Sequence, residues 1–132
     1  VHDYHRFEGD SKPYEDWRGE IHRMRTFSGL NEAIAQYEAW QSFDPKPLWL
    51  DIDLDFATRR RPDDSISEWT EDDWLEEFPD DVCRRFANLA ESAKLITISL
   101  EPWFCGNLGA CGRIAEGFKQ RLEKFSNIFA SL

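Results

Sequence analysis

The sequence predicts an α/β fold in which helices flank a parallel sheet, and three observations lead there. Two short apolar runs, Leu48 to Leu54 and Leu95 to Leu100, have the length and composition of buried strands. Helical periodicities precede, separate and follow them. The resulting order of helix, strand, helix, helix, strand, helix is that of βα units, whose crossovers put helices on the sheet faces. With 132 residues, 41% of them hydrophobic, the chain has material for one core, so a single domain over 1–132 is expected. It starts at Val1 rather than at a methionine, and chemically informative residues follow at once, so a piece of a longer protein is expected.

The elements follow in order. Residues 1–27 mix charges and aromatics around Gly9, Pro13 and Gly19 without a period, and are expected to be mostly loop. Leu30, Ile34, Tyr37 and Trp40 recur at helical spacing behind the cap candidates Ser28 and Asn31, predicting a helix over about 30–41. Leu48 to Leu54, after Pro45 and Pro47, reads as the central strand. Arg59 to Asp64 reads as a charged, turn-rich connection. Thr70 and Asp73 resemble a capping box opening a short helix that presents Trp74, Leu75 and Phe78 and stops at Pro79. Asp80 or Asp81 caps the next helix, with Val82, Phe86, Leu89 and Ala93 on one face. After the second strand, Pro102 and a loop containing Gly106, Gly109 and Gly112 lead into a helix with Ile114, Phe118, Leu122 and Phe125 on one face.

The charge balance narrows the partners. A net charge of -10 repels phosphate backbones and anionic membrane surfaces, which argues against nucleic acid and against the membrane, and it favours cationic ligands such as a guanidinium or a divalent ion. No stretch approaches the roughly 18 apolar residues of a membrane span, and no basic-then-apolar signal opens the chain. Cys83, Cys105 and Cys111 form neither a disulfide framework nor a zinc pattern and are expected to be small packing residues. A reduced, cytoplasmic setting is the expectation.

Chemistry concentrates at the end of the first strand. In an extended chain alternate side chains share a face, so Asp51, Asp53 and Asp55 are expected to project together, neighbours roughly 6 to 7 Å apart. Three like charges so placed repel unless something positive lies among them. Divalent ions with hard oxygen ligands relieve that repulsion. Solvated acids on an exposed strand end are the plainer alternative, set against by the apolar Trp49, Leu50, Ile52, Leu54 and Phe56 around them. Glu101 closes the second strand. Asp3 and His5 form a second possible ligand set, whereas His2 and His22 are expected to be surface residues.

The segments Leu50-Asp51-Ile52-Asp53-Leu54-Asp55-Phe56 and Leu95 to Gly106, the latter ending Leu-Glu-Pro-Trp-Phe-Cys-Gly, resemble a ureohydrolase-like family that includes peptide arginases. The resemblance covers residues 1–6 and 47–122. It implies a three-layer arginase-like parallel sheet of which this chain is part, and a hydrolase converting arginine, free or in a peptide, to ornithine and urea. It implies two manganese ions sharing a bridging hydroxide. Asp51 and Asp53 then match one ligand pattern, and Asp3 and His5 match the start of another. It also implies that Asp55 and Glu101 serve catalysis, that Glu101 and Trp103 meet the substrate, and that an arginine-containing peptide or a small guanidinium compound is the partner. The chain departs from the family at Phe7, where a further aspartate is expected, and at Trp103, where an acid is expected.

Two alternatives stand beside this. A magnesium-dependent phosphohydrolase of the haloacid dehalogenase type also uses an Asp-x-Asp pair, but wants Thr or Val four residues after its first Asp, where Asp55 or Ala57 stands here. A degenerate relative that binds a metal or partner without turnover is the other. The acidic segment Asp63 to Asp81, with Trp69 and Trp74, reads either as a flank that guides a cationic peptide or as an ordinary solvated surface.

Overall fold

In the computed structural model the described residues are 9–10, 13–22, 25–27 and 29–132. The chain divides into two compact units, Val1–Pro45 and Lys46–Leu132.

In the first unit, two short antiparallel ladders stand where loop was expected: β1 (Gly9–Asp10) pairs with β4 (Arg25–Thr26), and β2 (Tyr14–Glu15) pairs with β3 (Ile21–His22). Two-residue strands leave no hydrophobic alternation to read, which is why the sequence shows no period there. Gly19 adopts φ 81°, a left-handed conformation that closes the β2–β3 turn without a Cβ penalty. Helix α1 (Leu30–Phe43) agrees with the expected span and buries Ile34. Its N-cap is Gly29, which offers no side-chain oxygen, and Ser28 lies outside the described residues.

The second unit carries the larger core. Strand β5 (Trp49–Asp53) pairs in parallel with β8 (Leu95–Ser99), with Trp49 beside Leu95, Asp51 beside Thr97 and Asp53 beside Ser99. Between them lie a 3-10 helix (Leu54–Ala57), the antiparallel hairpin of β6 (Thr58–Arg60) and β7 (Ile66–Glu68), and helices α2 (Glu71–Glu77) and α3 (Asp80–Ser92). Helices α4 (Pro102–Cys105) and α5 (Leu108–Glu123) follow β8. The hairpin occupies the segment expected to be a charged connection; the turn residues Pro62, Asp63 and Asp64 sit at its tip, with Asp64 at φ 64°.

The core is a chain of phenylalanines. Phe78 stacks on Phe118 at 6.0 Å, Phe86 stacks on Phe129 at 6.3 Å, and Phe118 meets Phe129 edge-on at 5.3 Å. Each such ring contributes about 1.5 to 3 kcal/mol by burial alone. The capping box read from Thr70 and Asp73 is present, with Thr70 N donating to Asp73 Oδ2 at 2.8 Å and Asp73 N donating to Thr70 Oγ1 at 3.2 Å. Trp74 and Phe78 are buried behind it while Leu75 is exposed. Arg121 ties α5 to α2, donating to both carboxylate oxygens of Glu71 and lying 4.5 Å from the Trp74 ring centre. Neither Asp80 nor Asp81 caps helix α3: Pro79 is its N-cap and both aspartates lie in its first turn.

Among the described residues every sheet has two strands, so the architecture is mixed α/β with one parallel pair rather than a broad central sheet. Ile52 is buried, but Trp49 on the opposite face is 75% exposed. The expectation that the apolar residues around the aspartates are out of solvent holds for Ile52 and Leu54 and fails for Trp49 and Phe56, because among the described residues β5 has one strand neighbour and one covered face.

Candidate functional site

Parallel pairing brings the C-terminal ends of β5 and β8 together, the place where open α/β sheets carry their ligands. Asp51 and Asp53 lie on the exposed face of β5, two residues apart, as alternation requires. Thr97, across the ladder, donates its hydroxyl to Asp51 Oδ1. Asp55 does not continue the row. The strand ends at Asp53, whose carboxylate caps the 3-10 helix by accepting from Asp55 N at 3.5 Å, so Asp55 sits in that turn. Buried Leu54 and Ala57 anchor the turn from below. Thr58 Oγ1 donates to the Asp55 carbonyl at 2.7 Å and fixes its far end.

Glu101 comes two residues after β8 and is the N-cap of α4, its carbonyl accepting from Phe104 N at 3.0 Å and from Cys105 N at 2.9 Å. Partial burial pushes the Asp55 carboxyl above the ordinary value of 3.8, and the neighbouring charges of Asp53 and Glu101 push it the same way. Asp53, Asp55 and Glu101 thus form one electrostatic group assembled from two strand ends. No Lys, Arg or His among the described residues ion-pairs with any of them or with Asp51.

The other sequence candidates divide. Trp103 stands on the outer side of α4 and is exposed. Asp3 and His5 lie outside the described residues. All three cysteines are free and buried. Burial, contact with Cys111 and the charge of Asp55 push the Cys105 thiol up to about 12, and burial with the nearby Asp80 charge raises Cys83 to about 11. Both stay protonated at neutral pH, so neither supplies a thiolate nucleophile or ligand there.

A set that sequence reasoning passed over is Asp16, Glu20 and His22, whose ligand atoms all lie within 4.8 Å of one another. Among the described residues it is the one such group, and the strand-end acids do not form another. Asp16 Oδ2 meets His22 Nε2 at 2.9 Å, and Asp16 Oδ1 accepts from Arg18 N at 2.8 Å and Glu20 N at 2.9 Å. The His22 hydrogen bond, followed by those from the backbone, holds the Asp16 carboxyl below its ordinary value. Tyr14 stacks on His22 at 5.1 Å. The signal in the sequence was the Asp-x-x-x-Glu-x-His spacing around Gly19, which a tight turn folds onto one side. These contacts close the β2–β3 hairpin.

No family model, no curated protein and no solved structure matches this chain.

Proposed function

We propose that the second unit carries the carboxylate side of a metal-dependent hydrolase acting on a guanidinium group, converting arginine in a peptide to ornithine and urea. One observation carries the proposal: Asp53 at the end of β5 and Glu101 past the end of the parallel β8 both bear on the Asp55 carboxyl, with Asp51 on the same face of β5 as Asp53, and no basic side chain of the described residues ion-pairs with them. Such a group is stabilised by a cation, and its donors are all carboxylate oxygens, the set that suits hard divalent ions such as manganese or magnesium. Asp51 and Asp53 are the ligands proposed among the described residues, and Asp3 and His5, which lie outside them, complete the proposed set.

Bound divalent ions supply an activated water near neutral pH. The remaining work falls to the side chains. Glu101 accepts charge-assisted hydrogen bonds from the guanidinium and orients its carbon. Asp55, in the turn that follows the ligand Asp53, is the group proposed to pass a proton to the leaving amine nitrogen. Water adds to the guanidinium carbon, the bond to the side-chain nitrogen breaks, and urea leaves.

The test is urea release from an arginine-containing peptide with manganese, beside phosphate release from a phosphomonoester with magnesium. Urea release that falls about a hundredfold in Asp53→Asn and in Glu101→Gln supports the proposal. Phosphate release in place of urea, or neither product at saturating metal, overturns it.

A further inference from the structure

We propose that the outer surface of α4, together with Leu100 and Leu108, is a docking surface for a polypeptide segment of basic and apolar composition. Within this short stretch Leu100 is 44% exposed, Trp103 87%, Phe104 51% and Leu108 76%. Large apolar side chains scattered singly over a surface need no explanation, but Trp103 and Phe104 are adjacent on the single turn of α4, with exposed Leu100 and Leu108 flanking it in the chain, and exposed apolar groups that adjoin one another mark interaction sites. Tryptophan and phenylalanine are the types that interfaces favour.

The platform is fixed rather than frayed. Cys105, the last residue of α4, is buried at 1% exposure, and the Glu101 carbonyl holds the Phe104 and Cys105 amides. Gly106, at φ 105°, then turns the chain directly into α5, which begins at Leu108.

Charge selects the occupant. Glu101 caps this helix, and the charge of Asp55, in the turn after β5, reaches Cys105 at the helix's end. The nearby base, Arg113, is held by both oxygens of Glu68 at 2.8 and 3.0 Å. A second copy of a chain of net charge -10 meets like charge here, and so does an anionic membrane. A segment alternating cationic and apolar residues meets both features at once, its cations on the carboxylates and its side chains on Trp103 and Phe104. These carboxylates are those of the proposed hydrolase site, so the inference rests on that reading and extends it to an apolar platform beside the site. Binding read with a chelator present needs no turnover, and its failure is therefore distinct from a failure of urea release.

The experiment uses the full chain with a chelator present, and labelled peptides of equal length that alternate arginine with leucine, glutamate with leucine, or arginine with glycine. Fluorescence anisotropy is expected to give the arginine–leucine peptide the lowest Kd. The double variant Trp103→Ala, Phe104→Ala weakens that Kd by about tenfold or more, and Leu108→Lys also weakens it. Trp17→Ala removes an equally exposed tryptophan of the first unit and leaves Kd unchanged. Equal affinity for the glutamate–leucine peptide overturns the proposal. So does a Kd unaltered in both the double variant and Leu108→Lys. A concentration-dependent dimer abolished by the same substitutions also overturns it, assigning the surface to self-association.

Discussion

At the scale of single residues, Asp55 is the group whose protonation reports on the site. Its carboxyl binds a proton more tightly in the folded chain than in the unfolded one, so at this position folding is favoured by acid. The contribution is lost as pH rises from about 3.8 through the raised folded value. Asp55→Asn is therefore expected to raise Tm at neutral pH, with a gain that disappears below the ordinary carboxylate range; calorimetry across pH checks both. Glu101→Gln is expected to bring the Asp55 titration back toward its ordinary position, read by carbon-detected NMR of the carboxyl. Both follow from repulsion and burial, and saturating divalent cation should reduce the effect of Asp55→Asn by screening the group it belongs to.

At the scale of elements, the two faces of β5 make unequal predictions. Ile52→Ala, in the covered face, is expected to cost about 2 to 5 kcal/mol. Trp49→Ala, on the open face, is expected to change stability by less than about 0.5 kcal/mol. Denaturant unfolding of the two variants gives the comparison. Thr70→Ala, which removes one half of the capping box of α2, is expected to cost about 1 kcal/mol. The elements that were legible in the sequence are those with a strong local signature: the helical spacing of Leu30, Ile34 and Tyr37, the Thr70 and Asp73 pair, and the β-branched run of β8. The β6–β7 hairpin escaped because its strands are short and Arg59, Arg60 and Ser67 carry no apolar alternation. Helix α4 escaped because Pro102 and Gly106 punctuate a single turn. Asp51 and Asp53 were correctly placed on one face, but Asp55 was not, since nothing in an alternating pattern says where a strand gives way to a 3-10 turn. The exposure of Trp49 was equally invisible: hydrophobicity states that burial is favourable, not that a neighbour is there to provide it.

At the scale of the whole molecule, 26 acidic side chains against 16 basic ones repel one another in the folded chain. Moderate salt is expected to raise Tm by screening that repulsion. A divalent cation bound at the strand ends acts differently, stabilising by mass action: at a hundred times its Kd the gain is about 2.7 kcal/mol, beyond what matched ionic strength provides. The phenylalanine core of Lys46–Leu132 supports the carboxylates, because the 3-10 turn that carries Asp55 buries Leu54 and Ala57 and its Phe56 meets Phe118 edge-on at 6.1 Å. The Asp16, Glu20 and His22 set of the first unit supplies an internal comparison, as a second place where a cation has oxygen and nitrogen donors to meet.

Calorimetric titration of manganese into the full chain, beside Asp53→Asn and Asp16→Asn, therefore tests the central claim most directly. Binding that is lost in Asp53→Asn and kept in Asp16→Asn is the result expected of a cation site at the strand ends. Binding that is kept in Asp53→Asn, or absent from the unaltered chain, contradicts it.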